Sequence, residues 1–273
     1  MIKVERPKGS TPTGLVKQGR DERRKHLTLE PKKRVFKAYS ANPVKEKLAE
    51  LFGRKCMFCE SMLAGTQPGD VEHYRPKGKV VVYPKTPTAP AHVISGYYWL
   101  AAKWPNLLLS CADCNRPRTQ DDCDGNARVI GKANFFPLVD ETKRANGAWR
   151  IQHEEPLLLN PCSDDPGAHL VFLEDGRVEA RMIGGAPSPK GTASIHYLGL
   201  ARAELLQMRA RHGRMVRAAI RHTVDALEAG RDPGADLEDL VAFLHPKEAY
   251  VAFSRMLIHK YMSKYIADLG LPT

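Results

Sequence analysis

Two cysteine pairs carry the clearest chemistry in this 273-residue chain: Cys56-Met57-Phe58-Cys59 and Cys111-Ala112-Asp113-Cys114. Two residues between cysteines let both sulfurs reach one ion while the backbone turns. Two such turns supply four thiolates in the tetrahedron of a structural zinc site. The 51 residues between the pairs exceed a zinc-finger interval, so an ion here would staple segments distant in sequence. Structural zinc of this kind contributes directly to folding free energy. Cys123 and Cys162 have no such partner and read as ordinary thiols.

Between the pairs lies Asp70-Val71-Glu72-His73-Tyr74-Arg75-Pro76-Lys77. A carboxylate suits a hard divalent cation such as Mg²⁺ or Mn²⁺. A histidine titrates near neutrality and suits removal of a proton from water. Trp104-Pro105-Asn106-Leu107-Leu108-Leu109-Ser110 leads into the second pair, and Asn115-Arg116 leaves it. Arg75, Lys77 and Arg116 lie near enough in sequence to hold phosphates of a polyanionic substrate.

These residues must be positioned by surrounding elements. A helix is expected from Asn42 to Phe52, with Pro43 at its first turn and Gly53 at its end. Tyr97 to Lys103 reads as a short aromatic helix. Leu107-Leu108-Leu109 and Leu157-Leu158-Leu159 read as buried strands. Leu170 to Met182 reads as a hairpin around Asp175-Gly176. From about 191 to 268 the pattern is helical, with Leu205, Met208, Val216, Ala219, Thr223 and Leu227 expected on a core face. Arg214, Arg217 and Arg221 follow the same spacing on a solvated face. Gly125 to Ala133 superficially resembles a phosphate-binding loop. It has five residues between glycines rather than four, and Ala133 replaces the needed Ser or Thr. Asp164-Asp165-Pro166 with His169 reads as a capped turn rather than a second metal site.

Composition bounds the class. Hydrophobic residues make up 42% and charged residues 27%, ordinary globular usage rather than disorder. No apolar run reaches the ~18 residues that a membrane span needs. No secretory signal is visible at the start, so a cytoplasmic location with reduced thiols is expected. Net charge is +11. Residues 1 to 37 alone hold seven Lys and five Arg against four acidic residues. That segment, rich in Pro, Gly and Thr, reads as extended or flexible. The excess points to a polyanionic partner, nucleic acid first.

The motifs together resemble a known family. Glu-His, then Asn-Leu leading into Cys-x-x-Cys-Asn, resembles the HNH (ββα-metal) endonucleases with a zinc-stapled core. The fuller set is similar to the PtuB-type HNH subunits of Septu and retron-associated anti-phage systems. It comprises Cys-x-x-Cys-Glu, Glu-His-Tyr-Arg-Pro-Lys, Tyr-Trp-Leu-Ala, Asn-Leu-Leu-Leu-Ser-Cys-x-x-Cys-Asn-Arg, Phe-Pro-Leu, Glu-x-Pro-Leu-Leu-Leu-Asn-Pro-Cys and Asp-Asp-Pro-x-x-His. The resemblance runs to Tyr197-Leu198-Gly199-Leu200, roughly three quarters of the chain.

The resemblance implies roles. His73 corresponds to the general base. Glu72 and Asn115 correspond to ligands of a catalytic divalent cation. Asn106 corresponds to the middle asparagine, which holds the loop and orients the histidine. Cys56, Cys59, Cys111 and Cys114 correspond to the structural zinc ligands. Most HNH enzymes have Asp or His where this chain has Glu72. Asp70 is an alternative carboxylate, since residues two apart share a strand face. Glu72 and His73 can serve one site only if the strand ends or bends, which Pro76 encourages.

The expected fold is α+β: a zinc-stapled ββα-metal (HNH) nuclease core with a mostly helical C-terminal extension. The expected segments are a basic, partly flexible arm at 1–40, the nuclease core at 41–140, and the extension at 141–273. The implied function is phosphodiester hydrolysis by an anti-phage effector working with a separate AAA or SMC-like ATPase subunit, PtuA-like. The rivals are a non-catalytic zinc module that binds nucleic acid or a partner, and a stand-alone restriction-type HNH enzyme.

Overall fold

A computed structural model describes residues 1–63, 65, 67–82 and 91–271. In chain order the first elements are α1 (Leu15–His26), α2 (Asn42–Leu51), β1 (Asp70–His73), β2 (Lys79–Val82), β3 (His92–Ser95), β4 (Leu107–Ser110) and α3 (Ala112–Asn115). Next come β5 (Arg118–Asp121), β6 (Ala127–Ile130), β7 (Leu170–Phe172), β8 (Val178–Ala180), β9 (Met182–Ile183) and β10 (Ala186–Pro187). Four helices complete the described chain: α4 (Pro189–Leu198), α5 (Ala203–Glu228), α6 (Gly234–Ala242) and α7 (Val251–Met262). Mixed α and β structure, with helices concentrated after residue 188, agrees with the expected class. None of the described helices is long and apolar enough to cross a membrane.

The sheets are small antiparallel pairs. β1 pairs with β4, placing Glu72 opposite Leu108 and His73 opposite Leu107. The intervening chain leaves this pair as a separate β2–β3 ribbon, Lys79 opposite Ser95. β4 is buried along its whole length, and α3 follows directly. Leu107 and Leu108 are fully buried. Each such side chain contributes about 1.5–3 kcal/mol through burial, which fixes the inner face of the pair.

The basic segment, expected to be extended or flexible, is folded against the core. Leu15 of α1 is 1% exposed. Glu22 accepts hydrogen bonds from Lys37 N and Ala38 N, and the Arg34 guanidinium lies 3.9 Å from the Tyr98 ring centre. Arg6 donates to the Leu107 carbonyl and stacks on Trp104. One hydrophobic cluster runs through all three expected segments, from Leu15 through Leu108 and Leu159 to Leu257.

Two further expectations are corrected. Leu158 and Leu159 are buried but form no strand. Their backbone groups bond to side chains instead: Tyr74 Oη donates to Leu158 O, and Leu159 N donates to Ser194 Oγ. On α5, Met208 is 48% exposed, while Arg209 and His212 are buried. These polar groups are satisfied by Leu200 O and Ser254 Oγ. The helix therefore buries them without loss and turns Met208 outward. The 170–182 hairpin forms as β7–β8, and the aromatic turn is a 3-10 helix at Tyr98–Leu100.

One glycine positions the site. Gly131 has φ of 130°, and a Cβ there would lie 2.2 Å from the Arg116 carbonyl oxygen. Gly131→Ala is expected to destabilise the protein by more than about 1 kcal/mol in urea unfolding.

Candidate active site

The four cysteines converge. Cys56, Cys59, Cys111 and Cys114 are all buried, and their sulfurs lie within 4.8 Å of one another. A four-sulfur donor set of this kind fits a structural metal such as zinc. The first knuckle is closed by Glu60 N donating to Cys56 O and tied to β4 by Met57 N donating to Leu109 O. The second knuckle opens α3, where Cys114 N donates to Cys111 Sγ. Arg202, reaching in from the start of α5, places its guanidinium 3.6 Å from Cys114 Sγ and 4.0 Å from Cys111 Sγ. Cys123 is exposed and Cys162 half-buried, neither near this cluster.

β1 ends at His73, and past one further bond in the same register the Asn106 side chain, not the ladder, holds the backbone. Tyr74 N donates to Asn106 O. The Asn106 side chain accepts from Arg75 N at 2.8 Å and donates to Arg75 O at 3.1 Å and Leu100 O at 3.3 Å. Asn106 thus joins the segment after His73 to the Tyr98–Leu100 turn. Ala101, next in that turn, supplies the carbonyl that receives His73 Nε2–H at 2.9 Å. This leaves Nδ1 as the basic nitrogen. Lys77 Nζ is 3.4 Å from Nδ1. Burial, and then the Lys77 charge, hold the imidazole pKa well below its usual value. The ring is therefore neutral at physiological pH.

Glu72 is 6% exposed. Lys132, fully buried, donates to Glu72 Oε1 at 2.5 Å and to His73 O at 2.8 Å. Burial pushes the Glu72 carboxyl up from its ordinary value, against the pull of Lys132. Lys132 is itself placed by the second knuckle, since Lys132 N donates to Cys114 O and Ala133 N to Asn115 O.

Asp70 meets Asn115 directly. Asn115 Nδ2 donates to Asp70 Oδ2 at 2.9 Å. Arg116 grips the same carboxylate with Nε at 2.9 Å and Nη2 at 2.7 Å. Burial alone would raise the Asp70 pKa, but the bonds from Arg116 and Asn115 outweigh it and hold it low. Asp70, Glu72, Asn115, Arg116 and Lys77 line one cleft of about 520 Å³. Glu72, His73, Lys77 and the cations Lys32, Arg34 and Lys79 line a second of about 590 Å³. The oxygen donors of the first cleft suit a hard cation. Arg75 lies apart from both clefts. It is turned inward onto Glu154, 2.7 Å from Oε2, so its charge is spent inside the protein.

No family model matches the chain. It is 38% identical over 183 residues to Septu protein PtuB of Bacillus mycoides (strain KBAB4), covering 64% of this chain and 52% of that protein. The similarity to PtuB is thus carried by about two thirds of this chain. The match is somewhat shorter than the three quarters that the motifs suggest. The chain is also 28% identical over 160 residues to Septu protein PtuA of the same strain, covering 58% of this chain and 19% of that one. It therefore spans about half of PtuB and a fifth of PtuA. A segment similar to this chain occurs inside the much longer PtuA.

Several residues of the PtuB-type motifs are structural here. Glu60, after the first knuckle, accepts from Lys55 Nζ and from Ala252 N of α7. Glu154 accepts from Arg75, from Tyr97 Oη and from Ala145 N. Asp165 accepts from Gly167 N, Asp164 pairs with Lys190, and His169 meets Ser188, as the capped-turn reading expected. Sequence reasoning missed Lys132 and Arg202. Their signal, a charged residue on an otherwise apolar approach to a knuckle, is visible only once the chain is folded.

Two measurements follow. The purified chain is expected to hold one zinc by atomic absorption. Cys111→Ser should lose it and unfold, while Cys123→Ser should keep it. Lys132→Met strands a buried carboxylate and should cost about 3–5 kcal/mol. Adding Glu72→Gln to Lys132→Met should restore most of that loss in a double-mutant unfolding cycle.

Proposed function

We propose that this chain is a metal-dependent HNH endonuclease of a Septu-type anti-phage system, working with an ATPase subunit of the PtuA kind. The observation that carries the reading is the Asp70–Asn115 contact. It brings the residue leaving the second knuckle onto β1, 2.9 Å from a carboxylate and into one cleft with Glu72, the residue before His73. β1, β4 and α3 then supply the three parts of a ββα-metal core.

In this reading His73 Nδ1 accepts the proton of the attacking water. The Ala101 carbonyl fixes the tautomer and aims the ring, and Asn106 holds the two loops that make this possible. Asp70, Asn115 and Glu72 are the residues that would hold a Mg²⁺ or Mn²⁺ ion. Such a cation supplies Lewis-acid relief for charge on the phosphate and on the leaving oxygen. Each carboxylate would have to share its oxygens with a cation already in place, Asp70 with Arg116 and Glu72 with Lys132. Lys77 and the exposed Arg116 face the clefts and hold phosphates of the substrate, DNA or RNA. The basic wall at Lys32, Arg34 and Lys79 continues that surface. PtuB and PtuA supply the Septu context by similarity.

The test is a cleavage assay with Mg²⁺ or Mn²⁺ on DNA and on tRNA, with and without the ATPase. Loss of a general base should reduce the rate of His73→Ala by about 10²–10⁴-fold while zinc content and unfolding midpoint hold. A wild-type chain inactive in every condition would overturn the enzyme reading in favour of a zinc-stapled binding module.

A further inference from the structure

Lys77 occupies the nitrogen that the proposed base must use. His73 is 3% exposed. Its Nε2–H is spent on Ala101 O, so Nδ1 carries the lone pair. Lys77 Nζ lies 3.4 Å from that nitrogen, and an ammonium can only donate. A lone pair that receives this donor is not available to water. The cap is braced. The same ammonium sits 4.4 Å from the Tyr39 ring centre, and Tyr39 packs edge-on against His73 at 4.5 Å.

Lys77 also stands at a boundary. The cleft with His73 and the cleft with Asp70, Asn115 and Arg116 share Glu72, Lys77, Ala133 and Asn134. A phosphodiester that spans both clefts meets the Lys77 ammonium at the partition. Exchanging a neutral imidazole acceptor for a phosphate oxygen gives a stronger, charge-assisted bond. The flexible four-carbon stem of lysine permits the move.

We propose that Lys77 is a substrate-displaced cap on His73. In the free protein its ammonium masks Nδ1. When a phosphate enters, the ammonium transfers to a phosphate oxygen and the base is uncovered only where substrate is present. No covalent bond changes in this step. Lys77 covers His73 and then contacts the substrate phosphate, and the proposal rests on reading His73 as the base. Lys132 does not share the role, because it is fully buried on Glu72 and the His73 carbonyl.

The test uses the full chain labelled with ¹⁵N-histidine, the His73 signals being assigned by their loss in His73→Gln. The probe is a single-stranded phosphorothioate oligonucleotide without added Mg²⁺. In wild type, the oligonucleotide should move the Nδ1 resonance towards that of an unbonded acceptor. Lys77→Met should show that position before any oligonucleotide is added, and Lys77→Arg should behave as wild type. Lys77→Met should also flatten the dependence of log affinity on log salt by about 0.7, one phosphate contact on a single strand. An Nδ1 resonance unmoved by bound oligonucleotide, or an unchanged salt slope, overturns the cap. Should Lys77→Met fail to fold, the wild-type titration decides alone. The resonance is read without cleavage, whereas the reading of His73 as base falls on His73→Ala retaining full activity. The two readings therefore fail separately.

Discussion

Four sulfurs meeting across 51 residues of intervening chain are the constraint on which the rest depends. Closing a loop of that length costs about 3.5 kcal/mol in chain entropy. Structural zinc contributes about 10–16 kcal/mol in small zinc-binding units, so a bound ion more than offsets the closure. Once the knuckles are joined, β4 is tied to the first knuckle and α3 to the second. β1 then pairs with β4, and Asn115 is carried to Asp70. Gly131 and Lys132 hang from the second knuckle and reach Glu72 and His73. The chemistry of the clefts is downstream of the staple.

The second organising device is Asn106. A single amide holds the backbone on both sides of Arg75 and the Leu100 carbonyl. It stops β1 at His73 and brings the Ala101 carbonyl to the imidazole. This answers the geometric difficulty that adjacent strand residues point to opposite faces. Glu72 and His73 both line the 590 Å³ cleft because the ladder ends between them and the next turn.

Much of this was legible in the residues. The C-x-x-C spacing announces its own geometry, so the four ligands and their distinction from Cys123 and Cys162 needed no fold. β4, α2 and the Asp175-Gly176 turn follow local rules, and the structure keeps them. What was not legible depends on distant partners. Leu157 to Leu159 reads as a strand, but prolines at 156 and 161 flank it, and Tyr74 and Ser194 take up its backbone. The basic segment looked extended because it offers few apolar residues. It is held instead by Leu15, Glu22 and stacked arginines. Lys132 sat in what looked like a failed phosphate loop, and nothing local marks its ammonium as the partner of Glu72, 60 residues away. Asp70 offers no local sign that sets it above Glu72, and only the fold brings it to Asn115.

Arg202 gives the staple a further property. Four thiolates around a divalent ion leave a net charge of −2, and such sulfur is nucleophilic. A buried guanidinium beside Cys111 and Cys114 draws off part of that charge through N–H···S contacts. Its charge also reaches Cys59 of the first knuckle, so both knuckles share in it. A thiolate cage damped in this way is a poorer target for alkylating agents and oxidants than a bare one.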